Sequence, residues 1–182
     1  DGNKMKEMMV GREVSGNYYR NDNDSYEDEI TLKAHCITTR KDLLCFNLEL
    51  HKGEVLGIGG LSECGMHTVG KALFGYEKIL DGKVTVGAKQ TVVKNPETAI
   101  ANGIAYTSKD RDHESLGLAG SIRDNIASTG YYFNRIFGPI ISFGKEKKFV
   151  QNQIDTLELK CASQYHSVNT LSGGNKQKVV FG

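Results

Sequence analysis

The stretch GLSECGMHT, Gly60 to Thr68, decides how the chain is read. It follows the apolar run Glu54-Val55-Leu56-Gly57-Ile58-Gly59, which reads as a short buried strand. Beyond it Val69, Ala72 and Leu73 recur at helical spacing between His67 and Phe74, and Gly75 supplies a C-terminal stop. Strand, glycine loop, helix is the context of a phosphate loop, and Gly60 and Gly65 have the spacing of the glycines in G-x-x-x-x-G-K-[ST]. Met66, however, stands where the lysine belongs, and His67 where the serine or threonine belongs. Such a loop aims backbone N–H groups and one ammonium at phosphates and offers a hydroxyl to magnesium. Met66 brings no charge, and one lost charged hydrogen bond costs roughly 1.5–3 kcal/mol, about ten- to hundredfold in affinity. Glu63 adds a carboxylate where the anion would sit, and His67 reads as a partly exposed structural histidine rather than a phosphate or metal ligand. The loop has the form of a nucleotide site with most of its chemistry gone.

A second glycine motif lies downstream, Leu171-Ser172-Gly173-Gly174-Asn175-Lys176-Gln177-Lys178. Ser172 is suited to cap a helix, the two glycines let backbone N–H groups approach a ligand, and the helix that follows offers its positive end. Alone, Ser-Gly-Gly is usually a turn. Paired with a phosphate-loop remnant upstream, it reads as an anion-binding arrangement.

The remaining punctuation sets the organisation. Residues 1–28 end in Asn21-Asp22-Asn23-Asp24-Ser25-Tyr26-Glu27-Asp28 and have the composition of a partly disordered linker, so the domain is expected over 29–182. Ile30, Leu32, Leu43, Leu44, Phe46, Leu48 and Leu50 alternate as strands do. Lys83–Val86 and Gln90–Val93 across Gly87-Ala88 read as a hairpin. Pro96 opens a short helix that Gly103 stops, and Ile104-Ala105-Tyr106 reads as a strand. Helices are expected over Ser121 to Ala127 and over 145–158, the latter with Phe149, Val150, Ile154 and Leu157 on one face, and Gly130 to Gly144 as an irregular connection between them. The alternation indicates an α/β domain.

At 182 residues there is room for one domain with a core, and no apolar run approaches the roughly 20 residues of a membrane-spanning helix. The formal net charge of +1 provides no long-range attraction to nucleic acid or anionic lipid. Cys36, Cys45, Cys64 and Cys161 contain no C-x-x-C pair, so reduced cytosolic cysteines are the simplest reading. A start on Asp1 and an end within Val179-Val180-Phe181-Gly182 look like those of a piece of something longer.

GEVLGIGGLSECGMHTVGKALFG, Asn102-Gly103-Ile104-Ala105-Tyr106 with Asp110-Arg111, and Leu171 to Val180 together resemble the second ATP-binding cassette of tandem-cassette ATPases that drive bacterial monosaccharide importers of the ribose, galactose and xylose type. The resemblance is collinear over about residues 29–182. It implies an ABC-type nucleotide-binding domain with the P-loop NTPase fold, cut before the Walker B strand, and a linker leaving the first cassette. It also implies ATP and Mg2+ as cofactors of the intact protein, a first cassette or second copy and membrane permease subunits as partners, and a periplasmic sugar-binding protein acting indirectly. Nucleic acid is not an implied partner, and the expected location is the cytoplasmic face of the inner membrane.

The family pattern assigns Gly60, Gly65, Met66, His67 and Thr68 to a degenerate Walker A loop, and Leu171, Ser172, Gly173, Gly174 and Gln177 to the signature motif. Lys109 stands where the family usually has Glu, and where active cassettes carry a glutamine that senses metal and γ-phosphate. Cassettes of this kind meet head to tail, each ATP lying between one loop and the other cassette's signature. The signature segment retains the residues that role requires, whereas the loop does not. No catalytic residue and no metal ligand is assigned within the chain, and the fragment alone is expected to be inactive.

Two rival readings remain: a non-catalytic scaffold or regulatory cassette, and a soluble cassette ATPase of the translation or DNA-repair kind. His113 and Glu114, Arg12 and Arg20, and Lys145-Glu146-Lys147-Lys148 read as solvated charge. Tyr131, Tyr132 and Phe133 divide between core packing and permease docking.

Overall fold

The alternation that starts at Ile30 becomes a four-stranded antiparallel sheet in the computed structural model, which describes Met8 and residues 26–61, 63–133 and 142–182. Its strands are β1 (Ile30–Thr38), β2 (Phe46–His51), β3 (Asp81–Val86) and β4 (Thr91–Val92), in the order β2-β1-β3-β4. Leu32 lies opposite Val86 and Ala34 opposite Val84, so one face of β1 and β3 is a continuous apolar surface. A register shift between Ala34 and Ile37 keeps Ile37 on that buried face although it is an odd step along the strand.

Helix α1 (Met66–Leu73) lays Val69 and Ala72 on this surface, and Val93 and Ala99 complete the first core cluster. Gly75 stops the helix at φ 76°, and a Cβ there would lie 2.8 Å from the Asn95 backbone, so no other residue fits without displacement. Helix α2 (Pro96–Ala101) starts where expected, with Pro96 in its first turn and Asn95 Oδ1 accepting from Thr98 N at 2.9 Å. The short α3 (Arg111–Glu114) follows, capped by Asp110.

A second cluster forms from α4 (Ile122–Phe133), α5 (Phe143–Thr156) and α6 (Gly173–Phe181), with Ile122, Ile126, Val150, Ile154 and Val179 buried. Ser121 and Asp124 cap α4 reciprocally: Ser121 N donates to Asp124 Oδ2 at 3.0 Å, and Asp124 N donates to Ser121 Oγ at 3.0 Å. The helix runs past the expected stop at Ala127 and through Gly130, because a Cβ at 130 would lie 3.1 Å from the Phe149 ring and glycine lets α4 approach α5. The connection read as Gly130 to Gly144 is thus helical at both ends, and residues 134–141 lie outside the described residues, as do the side chains of Tyr132 and Phe133. Tyr131 is 40% exposed on α4.

Three expectations are corrected. Glu54–Gly59 and Ile104–Tyr106 form no strands; Val55 is 88% exposed, and Leu56 and Ile58 about 40%. A strand exists through its ladder, and among the described residues no strand pairs with either segment. The cysteines are not all reduced, because Cys36 and Cys45 form a disulfide. The β1 register shift lets residue 36 meet the residue that precedes β2, a juxtaposition their spacing does not advertise. Cys64 and Cys161 are free. Most of the expected linker lies outside the described residues, yet Glu27 N already donates to the Lys52 carbonyl at 3.0 Å, two residues before the expected domain start.

Candidate functional site

The phosphate-loop residues line one cavity of about 230 Å³, and Gly60, Gly65, Met66, His67, Thr68 and Lys109 all border it. Gly65 begins α1 in the left-handed region at φ 85°, and a Cβ there would lie 2.8 Å from Asp42 Cβ, so the glycine is required twice over. At Gly60 a Cβ would overlap Cys64 Sγ. Both positions therefore require glycine in this fold.

Two donors of the loop are engaged within the chain. Thr68 Oγ1 donates to Asp42 Oδ2 at 2.6 Å, and Cys64 N donates to the Leu61 carbonyl at 3.2 Å. Met66 is half-buried, and Glu63 and Asp42 bring two carboxylates to the cavity against the single ammonium of Lys109. His67 is exposed and borders the same space. This donor set does not fit a magnesium nucleotide: His67 brings no hydroxyl, that of the next residue, Thr68, is spent on a carboxylate, and the fixed charge is net negative.

The signature segment differs. Ser172 occupies the N-cap position of α6, but its hydroxyl makes no cap hydrogen bond and instead accepts from Asn175 Nδ2 at 3.1 Å. Helix α6 therefore begins without the side-chain cap that its serine was expected to provide. Ser172, Gly173 and Gly174 are exposed, while Leu171 packs against the second core cluster. Gln177 is one turn on, and its Oε1 accepts from Arg111 Nη1 at 3.4 Å. An exposed helix N-terminus without a side-chain cap can receive an anion.

The structure gathers the loop residues and Lys109 at one place and the signature residues at another; no residue of 171–177 borders the loop cavity. Sequence reasoning missed Asp42, which carries no motif and reaches Thr68 across 26 positions. It also left Arg111 without a role, although Arg111 Nη1 donates to the Gly173 carbonyl at 2.8 Å. His113 and Glu114 are not merely solvated: His113 Nδ1 lies 2.9 Å from the Asp110 carboxylate, and Glu114 pairs with Lys71 at 2.7 Å. The hydrogen bond to Asp110 raises the His113 pKa above its ordinary value, and the Lys71 ammonium, with Ser108, lowers that of Glu114.

Comparison with known proteins identifies the family and the fold. The family model for the ABC transporter matches residues 43–182. The ribose import ATP-binding protein of Halalkalibacterium halodurans is 34% identical over 175 residues, covering 96% of this chain and 34% of that protein. The ribose import ATP-binding protein of Chromobacterium violaceum is 33% identical over 181 residues, covering 100% of this chain and 36% of that protein. The chain thus spans about a third of the length of these relatives. Among solved structures, the dimeric ATP-binding cassette MJ0796 bound to ADP and Pi superposes with a TM-score of 0.66 at 18% identity, over 82% of this chain and 66% of that one. With the family model matched over residues 43–182 and a fold shared with a solved cassette, the chain belongs to the ABC transporter family.

Proposed function

We propose that this is the second cassette of a tandem-cassette ATPase serving monosaccharide import, and that it contributes a signature half-site rather than a working phosphate loop. The observation that carries the reading is the contrast between the two glycine turns. In the loop, Thr68 Oγ1 is held by Asp42 and Cys64 N by Leu61. Both helix starts lack a side-chain cap, but Ser172, Gly173 and Gly174 are exposed in the signature, whereas Gly65 is buried and Met66 and Thr68 are half-buried in the loop. A cassette so built holds ATP poorly in its own loop and still closes against an ATP held by a partner cassette. The first cassette of the same polypeptide, or a second copy, is that partner, and a membrane-embedded permease, engaged from the cytoplasmic face, is the machine it drives. The sugar class comes from the ribose import relatives.

A scaffold cassette is the second reading, favoured by the same Asp42–Thr68 pairing. Photolabelling of the intact parent protein with an azido-adenine nucleotide separates them. The half-site reading predicts label in the other cassette and little on peptides around Gly60–Thr68, with labelling weakened by Gly173→Asp. Strong label around Gly60–Thr68 contradicts it, and labelling indifferent to Gly173→Asp favours the scaffold.

A further inference from the structure

Helices α1 and α6 belong to different core clusters, and a cleft of about 290 Å³ lined by Phe74, Tyr76, Tyr106, Glu114, Ser115 and Val180 lies between them. Apolar packing at this point is incomplete, so something else must set where the signature turn stands relative to the loop helix. The charged side chains of α3 reach both sides of the cleft. Toward α1, Glu114 Oε1 accepts from Lys71 Nζ at 2.7 Å, and its other oxygen accepts from Ser108 Oγ. Toward α6, Arg111 Nη1 donates to the Gly173 carbonyl at 2.8 Å and Asp112 Oδ2 accepts from Lys176 Nζ at 3.3 Å.

We propose that α3 is a charged strut that positions the signature turn relative to the phosphate-loop helix, with Arg111 and Glu114 as positioning residues at its two ends. Its functional meaning rests on the half-site reading above, whereas its geometry does not.

The electrostatics explain why the strut has this form. A guanidinium beside the positive end of a helix is repelled by the helix dipole, so Arg111 needs compensation. It receives this from the Gly173 carbonyl and from Asp112, whose Oδ1 accepts from Arg111 Nε at 3.2 Å. Burial works against the Asp112 carboxylate, but Lys176 and Arg111 outweigh it and lower its pKa. Arg111, Asp112 and Lys176 then leave one net positive charge beside Gly173, the sign an incoming phosphate needs. Backbone bonds hold the strut itself: Leu116 N donates to the Arg111 carbonyl at 2.9 Å, and Leu116 is buried in the second cluster. The Lys71, Glu114 and Arg111 side chains are about a quarter to a third exposed, so these contacts are adjustable rather than locked.

Amide hydrogen exchange of the full chain tests the strut without any nucleotide. The reporter is Lys176 N–H, which donates to the Ser172 carbonyl at 2.9 Å in the first turn of α6. Arg111→Ala should speed its exchange about tenfold, the size expected when one charge-assisted hydrogen bond is lost. Lys71→Met touches only the α1 end, so its prediction is the discriminating one: severalfold faster exchange at Lys176, with exchange at buried Ile126 unchanged. Lys71→Glu combined with Glu114→Lys should restore the wild-type rate. If Arg111→Ala does not fold, Asp112→Asn carries the same prediction at that end. Unchanged Lys176 exchange in folded Lys71→Met overturns the strut, as does failure of the charge swap to rescue. A strut upheld here, alongside photolabelling on Gly60–Thr68, would leave the strut standing and the half-site reading refuted.

Discussion

Thr68 Oγ1 donates to Asp42 Oδ2 at 2.6 Å, joining the end of the glycine loop to the segment between β1 and β2. The contact ties up the hydroxyl of the residue that follows His67, the position where a phosphate loop would present one to magnesium.

Weak nucleotide binding follows. With no ammonium at Met66 and two carboxylates on the cavity, MgATP should bind the chain with a Kd of roughly 0.1 mM or above, a typical micromolar site less one charged contact. Met66→Lys combined with Asp42→Asn should tighten binding about tenfold or more by supplying the cation and releasing the Thr68 hydroxyl. Calorimetry reads both values, and low-micromolar binding by the unaltered chain would show that the loop still works.

The chain alone should not turn over ATP. Losing one preorganised electrostatic group typically costs about 10²–10³ in rate, and the loop lacks its lysine. Phosphate release that co-purifies with the chain through successive columns would contradict this.

The disulfide gives a stability prediction. Cross-linking residues nine positions apart contributes about 2–3 kcal/mol in the chain-entropy account. Reduction, or the Cys36→Ser, Cys45→Ser pair, should therefore lower Tm by about 5–10 °C. Alkylation before reduction should mark Cys64 and Cys161 only. Four alkylated cysteines and an unmoved Tm would remove the cross-link from the account.

His113 supplies a pH prediction. Its hydrogen bond and charge interaction with Asp110 favour the imidazolium in the folded chain, so its folded pKa lies above the ordinary value near 6.5. The stability this pair contributes is complete below that ordinary value and is lost as pH rises through the higher folded one. NMR titration should find the His113 midpoint above 6.5 and Asp110→Asn should lower it. A midpoint indifferent to Asp110→Asn would contradict the pairing.

What the sequence disclosed was local. Pro96 at its helix start, Gly75 and Gly103 after their helices, and Gly87 in the hairpin each act within a few residues, and these elements stand where the residues place them. The two unformed strands were misread because apolar composition at Val55–Ile58 and Ile104–Tyr106 implies a buried strand only if a neighbour pairs with it. The irregular connection expected from Gly130 starts instead as helix, because Gly130 is a point of helix contact with Phe149. At the site, both glycine motifs were legible, whereas the contacts that decide their chemistry join distant positions: Asp42 to Thr68 across 26 residues and Arg111 to Gly173 across 62.

The central claim, that the signature turn serves a nucleotide and the loop does not, is tested most directly by ATP turnover of the intact parent protein carrying Gly173→Asp or Met66→Ala, each first shown by thermal melting to be folded. A Cβ at Gly173 would lie 2.9 Å from Arg111 Nη2, so the new carboxylate captures the guanidinium and also repels the partner's γ-phosphate in a dehydrated interface. The account predicts that Gly173→Asp loses about 10²-fold or more of the activity, while Met66→Ala stays within about twofold of wild type. Wild-type turnover in folded Gly173→Asp, or a severe loss in Met66→Ala, would contradict it.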